Sequence, residues 1–435
     1  MSAPDSRLYR QRRRQVMREM GEGIMVIATA PEAVRNRDSH YPYRPDSYFW
    51  WLTGFSEPEA VVVLVAGKRP RQYLFCRQKN LEREIWDGFR WGPAEARAAF
   101  GFDAAWPIEQ LDKRMPKLIA DQLAVHSLLG ADAAWDARVL GWLNAVKAQA
   151  RGGVNAPEVL VDAAGILDGM RLIKAADELA LMRRAAEISA AAHRRAMRTC
   201  RPGMHEYEIE AELLHEFRRH GADAPAYSSI VAGGGNACVL HYVFNNQPLR
   251  DGNLLLIDAG AEYAGYAGDI TRTFPVNGRF SGVQKEAYEI VLAAQAAALA
   301  EARPGRTWNA PHDAAVRVLV QGMKDLKLLK GRVDGLIESG EYRRFYMHRT
   351  GHWLGLDVHD VGDYKVDGDW RPLQPGMVLT VEPGLYIRPG KGVPKRLENL
   401  GIRIEDDVAI TEAGHEILTA AAPKTVAEIE EAMRG

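Results

Sequence analysis

Two aspartates flank a glycine-rich segment that predicts a β-hairpin. Asp258 ends the apolar run 254–257, and Asp269 precedes a run rich in β-branched residues. If the hairpin turns at Tyr263 and Ala264, the two carboxylates are cross-strand partners on one face, with Cβ atoms about 4.5–5.5 Å apart. Like charges in that arrangement are destabilising unless one side chain takes a proton or a cation lies between them. We favour a divalent cation.

Two further acids occur where apolar segments end or alternate. Glu382 follows the apolar run 377–381, and Glu405 lies in the alternating segment 401–408 on the same face as Arg403. Taken singly, each acid has an ordinary alternative, because charged residues are mostly exposed. Glu382 could be solvated at a strand end, and Glu405 could pair with Arg403.

The segment 347–360 contains three of the twelve histidines of the chain, His348, His352 and His359. Imidazoles there could bind a metal, move protons or hold a substrate, or they could form hydrogen bonds in an ordinary loop. Four acids together with a histidine between glycine and tryptophan make an oxygen-rich ligand set without thiolates. Such a set suits hard or borderline divalent ions such as Mn²⁺.

The elements that must position these residues fall into two parts. Residues 1 to about 170 predict a mixed α/β unit, and the rest carries amphipathic helices at 177–200, 204–220 and 281–302. Arg-Pro-Gly follows a helix at 201 and again at 303, and each copy precedes another helix and a strand-like run. We therefore predict an α/β (α+β) chain with domains at 1–172 and 173–435, the second built from two related halves.

Composition narrows the range of functions. The 435 residues contain 56 Lys+Arg and 57 Asp+Glu, and this balance of charge disfavours nucleic acid as a partner. We expect neither a membrane-spanning helix nor a signal peptide, since no apolar run is long enough. Three widely spaced cysteines form no CxxC pair, which indicates a reducing, cytoplasmic location.

Two long segments resemble the bacterial Xaa-Pro aminopeptidases, the aminopeptidase P family. They are Asp258-Ala-Gly-Ala-Glu-Tyr-Ala-Gly-Tyr-Ala-Gly-Asp-Ile-Thr-Arg-Thr-Phe-Pro and Gly351-His-Trp-Leu-Gly-Leu-Asp-Val-His-Asp-Val-Gly. The resemblance extends from Tyr41-Pro-Tyr-Arg to Ile402-Arg-Ile-Glu-Asp-Asp, nearly the whole chain. It implies a "pita-bread" catalytic domain with a pseudo-twofold repeat, preceded by a smaller creatinase-like domain. It also implies two divalent metal ions, Mn²⁺ before Zn²⁺ or Co²⁺.

The resemblance also implies a role for each matching residue. Asp258 would bind one metal, His352 and Glu382 the other, and Asp269 and Glu405 both. The implied catalytic residues are His241, His348, His359, Glu382 and Arg403. The residues implied to contact or support the substrate are Tyr227, Tyr386 and Trp86, the last of which would reach the site of a neighbouring subunit.

The implied activity is release of the first residue from peptides with proline second, by attack of a metal-bridging hydroxide on the Xaa-Pro bond. A homo-oligomer, tetramer or dimer, is implied as well. Two alternatives stay open at this point: a prolidase, which cleaves only dipeptides, and a pita-bread domain reused as a non-catalytic peptide-binding scaffold.

Overall fold

The computed structural model describes residues 6–434, which form two compact units that divide between Gly169 and Met170. The helix at the division is α7 (Ala164–Leu172). Within the described residues, none of the helices has both the length and the apolarity that crossing a bilayer requires.

The first unit is a six-stranded mixed sheet with helices, in the strand order β6-β5-β4-β1-β7-β8. Strand β1 pairs antiparallel with β4 and parallel with β7. Strands β1 and β4 are almost wholly buried, as their continuous runs of Val, Ile and Met predict. The strands are β1 (Gly23–Ala28), β2 (Val34–Asn36), β3 (Ser39–His40), β4 (Val61–Ala66), β5 (Arg71–Cys76), β6 (Ala104–Pro107), β7 (Ala124–Ser127) and β8 (Val159–Asp162). The other helices are α1 (Ser6–Met20), α2 (Ser47–Thr53), α3 (Leu81–Asp87), α4 (Gly92–Phe100), α5 (Leu111–Ile119) and α6 (Ala133–Lys147).

The second unit repeats one order of elements. Helices α8 (Ala176–Thr199) and α9 (Glu206–Arg219) precede a three-stranded antiparallel sheet of β10 (Ile230–Gly233), β11 (Leu254–Asp258) and β14 (Thr271–Pro275). Helices α10 (Gly282–Glu301) and α11 (Ala310–Asp325) precede a second such sheet of β17 (Val378–Val381), β20 (Asp406–Thr411) and β21 (Gly414–Ile417). The repeat predicted from the two Arg-Pro-Gly segments is thus present in the order of the elements.

Shorter elements complete this unit. They are β9 (Ala224–Pro225), β12 (Ala261–Tyr263), β13 (Tyr266–Ala267), β15 (Lys365–Val366), β16 (Asp369–Trp370), β18 (Gly384–Ile387), β19 (Leu400–Arg403), α12 (Val333–Ser339) and α13 (Val426–Ala432). One continuous apolar core joins the helices to both three-stranded sheets. Because the apolar sides of β11 and β17 are buried there, Asp258 at the end of β11 and Glu382 directly after β17 are held at fixed positions.

A buried ion-pair cluster ties the segment after His359 to the start of this unit. Asp360 accepts hydrogen bonds from Arg171 at 2.6 Å and from Lys174 at 2.8 Å, and all three side chains are at most 2% exposed. Burial alone would raise the pKa of Asp360, but the charges of Lys174 and Arg171 outweigh it and lower the pKa. The cluster thus fixes the end of the histidine-rich segment.

We predict that Asp360→Asn lowers the free energy of unfolding by about 3 kcal/mol at neutral pH, because it removes the carboxylate that pairs with buried Lys174 and leaves buried Arg171 paired with the partly exposed Asp357. A depressed folded-state pKa contributes stability above the unfolded value and loses it as the pH falls. The difference from wild type should therefore hold from pH 8 to about 5 and shrink below about pH 3.9.

The matched control is Asp357→Asn. Asp357 also pairs with Arg171 at 2.8 Å, but its side chain is 38% exposed. The control should lose about 1 kcal/mol or less. Thermal and urea unfolding of both variants across this pH range provides the measurement. An equal loss in the two variants would contradict the assignment of the buried pair.

Candidate active site

The hairpin that carries Asp258 and Asp269 turns one residue later than the sequence predicted. Ala264 and Gly265 form the turn with φ of 51° and 83°, which suits a tight hairpin, so that Asp258 pairs with Thr271 instead of Asp269. The prediction of direct cross-strand partners was wrong, because Ala-Gly accommodates the left-handed turn better than Tyr-Ala. The two aspartates remain neighbours, because Gly260 lets the strands cross closely: a Cβ there would lie 1.7 Å from the Gly268 carbonyl oxygen.

The hydroxyl of Tyr227 lies between the two aspartates. Its oxygen is 2.6 Å from Asp258 Oδ1 and 2.5 Å from Asp269 Oδ1. A phenol has a single proton and can donate to only one of them at a time. Burial and the nearby carboxylates raise the pKa of Tyr227 well above its usual value, so the phenol keeps that proton. At any moment one of the two carboxylates therefore faces the phenol oxygen without receiving a hydrogen bond from it.

His352 presents one ring nitrogen to this group of acids. Its Nδ1 donates to the carbonyl of Trp353 at 2.9 Å, and its Nε2 lies 3.4 Å from Asp269 Oδ2. One donor atom each from Asp269, His352 and Glu405 lies within 4.8 Å of the others. Burial lowers the pKa of His352, but the contact with Asp269 outweighs burial and raises it to about 9.

Arg403 and Thr271 form hydrogen bonds with two of the acids. The Arg403 guanidinium donates to Asp258 Oδ2 at 2.6 Å and to Thr271 Oγ1 at 3.1 Å. Thr271 in turn donates to Glu405 Oε2 at 2.5 Å. The alternative pairing of Arg403 with Glu405 is therefore wrong, since the guanidinium contacts Asp258. Burial, followed by repulsion from Asp269, raises the pKa of Glu405 well above its usual range.

A directed chain of hydrogen bonds fixes His348 beside Glu382. Arg403 donates to the Tyr386 hydroxyl at 2.9 Å, and that hydroxyl lies 2.8 Å from His348 Nε2. His348 Nδ1 lies 2.7 Å from the carbonyl of Arg349, so it carries the ring proton and Nε2 accepts from the tyrosine. Burial lowers the pKa of His348 to about 3 and raises that of Glu382 to about 7. Both nitrogens of His348 are engaged, which favours a positioning role.

The acids line a cavity of about 1190 Å³, and the more exposed histidines, His241 and His359, line it as well. His241 and His359 are exposed, and the His359 ring lies edge-on to that of His352 with centroids 4.4 Å apart. Burial and the neighbouring His352 lower the pKa of His359. Two imidazoles thus face open space beside the buried acids.

The donor set fits divalent cations. Burial raises the pKa values of Asp269, Glu382 and Glu405, which means that the folded chain disfavours their negative charges. His352 donates through Nδ1 to a backbone carbonyl, the arrangement that directs Nε2 toward a metal. Four carboxylates, of which Arg403 contacts only Asp258, need additional positive charge to be stable when all are ionised.

The structure brings nearly all the predicted site residues to this cavity. Those that line it are Tyr227, His241, Asp258, Asp269, His348, His352, His359, Glu382, Arg403 and Glu405. Tyr386 is only 1% exposed and reaches the site through His348 and Arg403. Trp86 lies on α3 in the first unit and is 82% exposed, so its suggested role stays a prediction.

Two residues of the site, Thr271 and Asp407, were not predicted from the sequence. Thr271 links Arg403 to Glu405, and Asp407 accepts the backbone N–H of Asp269 at 3.0 Å. Asp407 has a signal in the sequence, because a third acid in the run Glu-Asp-Asp inside a buried strand needs a partner. Thr271 has none, since a threonine in a strand is ordinary.

Comparison with known proteins gives consistent matches over the whole chain. The model of metallopeptidase family M24 matches residues 180–412, and that of the aminopeptidase P N-terminal domain matches residues 9–126. The Xaa-Pro aminopeptidase of Escherichia coli (strain K12) is 47% identical over 433 residues, 98% of each chain. The chain belongs to metallopeptidase family M24.

Solved structures of family members agree with this assignment. The Pseudomonas aeruginosa aminopeptidase PepP superposes with a TM-score of 0.98 at 50% identity, covering 100% of this chain and 99% of that one. A zinc-substituted E. coli aminopeptidase P in complex with product gives 0.97 at 46% identity, with 100% and 99% covered. The predictions of an aminopeptidase P, of a hydrolase and of a pita-bread domain behind a smaller N-terminal domain are confirmed.

We predict that the metal-free protein loses stability as the pH rises from about 5 to 8. Glu382 and Glu405 have raised pKa values when folded, so the unfolded chain ionises first and stability is lost above about pH 4.3. The raised pKa of His352 acts in the same direction between about pH 6.5 and 9. Thermal unfolding in chelator at several pH values provides the measurement.

Glu405→Gln should flatten that decline, because it removes one buried charge. Glu416→Gln is the control, since Glu416 pairs with Arg183 on the surface with 38% of its side chain exposed. A metal-free protein whose melting temperature does not change over this range would show that the acids impose no electrostatic cost.

Proposed function

We propose that the protein releases the first residue from peptides whose second residue is proline, and that two divalent cations held by the buried acids are required. The observation that carries the proposal is the convergence of four carboxylates, Asp258, Asp269, Glu382 and Glu405, on one cavity in which Arg403 contacts only Asp258. The names of the relatives support an aminopeptidase over a dipeptidase.

The donors proposed for the cations are Asp258, Asp269, His352, Glu382 and Glu405. Asp269 and Glu405 suit the shared positions, because one donor atom from each of them and one from His352 lie within 4.8 Å of one another. Four carboxylates balance two dications, and the oxygen-rich set favours Mn²⁺, with Zn²⁺ or Co²⁺ as alternatives. Bound cations of this kind supply Lewis acidity that polarises a carbonyl and lets water ionise near neutral pH.

The other side chains orient the peptide and handle protons. Glu382 is the proposed general base as well as a metal donor, because its carboxylate lines the cavity 3.7 Å from His348 Nδ1. His241 and His359 face the open cavity and can hydrogen-bond the scissile amide and the proline side of the substrate. Arg403 and Tyr386 hold Asp258 and His348 in place, which preserves the geometry of the reacting groups.

This arrangement suits the bond before proline. The Xaa-Pro amide has no N–H, and the proline ring restricts the backbone on both sides. A site that grips the free amine and the carbonyl needs no hydrogen bond from that missing N–H. A non-catalytic scaffold has no comparable use for several buried carboxylates of raised pKa, and this disfavours that alternative.

Assembly and location are part of the proposal. Helix α3 buries none of its residues and exposes Leu81, Ile85 and Trp86 by 72%, 82% and 82%. An apolar surface of that kind supports a homo-oligomer, dimer or tetramer, with Trp86 at an interface.

The three cysteines are free and buried, as suits a reducing cytoplasm. We also retain 1–172 and 173–435 as the proposed domains.

A small peptide panel tests the activity. The purified protein with Mn²⁺ should cleave Ala-Pro-Ala between the first two residues and leave Ala-Ala-Ala nearly intact, with chelation abolishing the reaction. The dipeptide Ala-Pro separates the two enzyme classes: a prolidase would cleave it and spare the longer peptide. Full turnover in the presence of chelator would refute the requirement for a metal.

We predict that Glu405→Gln and Asp269→Asn each lose both bound Mn²⁺ ions and at least about 10²-fold in kcat, because each removes a shared carboxylate and even the residues that support metal ligands contribute about 10–100-fold. Metal content after dialysis, measured by mass spectrometry beside turnover, checks this. Glu416→Gln is again the control and should keep its metal. A Glu405→Gln protein with full metal content and wild-type rate would remove this residue from the site.

We predict that His241→Ala keeps its Mn²⁺ but loses about 10²–10⁴-fold in kcat/KM, the usual contribution of a positioned acid–base or hydrogen-bonding group. The matched control is His40→Ala, an exposed histidine of the first unit. Steady-state kinetics and metal analysis on both variants provide the measurement. Unchanged turnover in His241→Ala would contradict its placement at the scissile bond.

A further inference from the structure

One region of the active-site cavity carries two cations beside an aromatic ring. The Arg349 guanidinium carbon lies 5.0 Å from the centre of the Trp370 ring, and Lys365 Nζ lies 4.8 Å from it. All three residues line the same cavity as the carboxylates. We call these three residues the Trp370 patch.

The fold ties this patch to the segments that build the site. Lys365 and Trp370 are direct partners in the β15–β16 hairpin. Tyr364, at the base of that hairpin, stacks on Trp353 with the ring planes 6° apart, and Trp353 follows His352 in sequence. Arg349 follows His348 and donates to the Asn309 side chain. The patch therefore has a fixed position relative to the buried acids.

The two cations of the patch are available to a ligand. Within residues 6–434, no carboxylate lies within 4.0 Å of the charged group of Arg349 or Lys365, although such pairs are frequent elsewhere in the chain. Both side chains are exposed. Asp363 also lines the cavity close to the patch in sequence, so the two cations exceed the acids there by about one charge. Contact with an aromatic face stabilises a cation without satisfying its hydrogen-bond donors.

The cavity is thus bipolar, with acids in one region and an unpaired cationic patch in another. A peptide is bipolar in the same sense, since its first residue carries an ammonium group and its later part can carry a carboxylate. Charge complementarity orients such a ligand with its amino end at the acids and a carboxylate at the Trp370 patch.

We propose that the Trp370 patch is a subsite for a carboxylate located after the proline of the substrate, either an acidic side chain or the C-terminal carboxylate. The proposal rests on the proposed function, because the scissile bond must lie at the buried acids. The subsite makes the protein prefer short or acidic Xaa-Pro peptides over neutral ones.

Two matched peptide pairs separate the two sources of the carboxylate. Ala-Pro-Glu-NH₂ against Ala-Pro-Gln-NH₂ tests the side chain, and Ala-Pro-Gly against Ala-Pro-Gly-NH₂ tests the C-terminus. We expect the charged member of at least one pair to have a kcat/KM about two- to fivefold higher for each cation engaged. The gain should lie in KM, because the contact is the same in the ground and transition states, and it should weaken with added salt.

Variants then locate the preference. Lys365→Gln and Arg349→Gln should each reduce the charged-to-neutral ratio of kcat/KM, and Lys365→Arg should retain it. Lys330→Gln removes an exposed lysine elsewhere and should leave the ratio unchanged. A ratio that Lys330→Gln reduces as much as Lys365→Gln would show a general effect of net charge and overturn the subsite.

The outcomes distinguish this proposal from the one on which it rests. If Ala-Pro-Gln-NH₂ is cleaved but neither pair shows a preference, the subsite is wrong and the aminopeptidase function stands. If no peptide of the panel is cleaved with Mn²⁺ present, both proposals are overturned. A preference in one pair alone that disappears in Lys365→Gln supports the subsite and identifies the source of the carboxylate.

Discussion

Mutual repulsion among buried carboxylates is the constraint on which the site depends. Asp258 and Asp269 both contact one tyrosine hydroxyl. A carboxylate oxygen of Glu405 lies within 4.8 Å of one of Asp269. Burial strengthens this repulsion, because fewer water molecules screen the charges. Such an arrangement persists only if the rest of the fold holds the acids together and a positive group balances them.

The surrounding structure provides that restraint through several layers. A glycine lets two backbone segments cross where a side chain would clash, and the apolar core anchors the strands that precede Asp258 and Glu382. Hydrogen-bond donors, among them Arg403 and Thr271, then fix the directions of the carboxylates. Strands from both halves of the second unit supply the acids, so the halves must fold together before the site exists. Function in this chain therefore depends on long-range packing as much as on the local motifs.

The sequence predicted which residues form the site better than it predicted which of them pair with one another. Helix bounds were accurate to a few residues, since Pro-Gly after a helix marks its end whatever the tertiary contacts. The predicted register of the hairpin was wrong, because two neighbouring pairs of residues, Tyr-Ala and Ala-Gly, could form the turn. The backbone geometry of the turn decides between them. The pairing of Arg403 with Asp258 joins strands that are 145 residues apart in the chain, which no local pattern encodes. The roles of Thr271 and Tyr227 as shared donors likewise exist only once the strands have assembled.

The most direct test of the central claim is the anomalous scattering of crystals grown with Mn²⁺. Data collected on both sides of the manganese absorption edge locate the metal without any assumption about the ligands. Two peaks among Asp258, Asp269, His352, Glu382 and Glu405, with Asp269 and Glu405 in contact with both, are the result that the account predicts. An absence of manganese peaks at these side chains in a fully active crystal would contradict it.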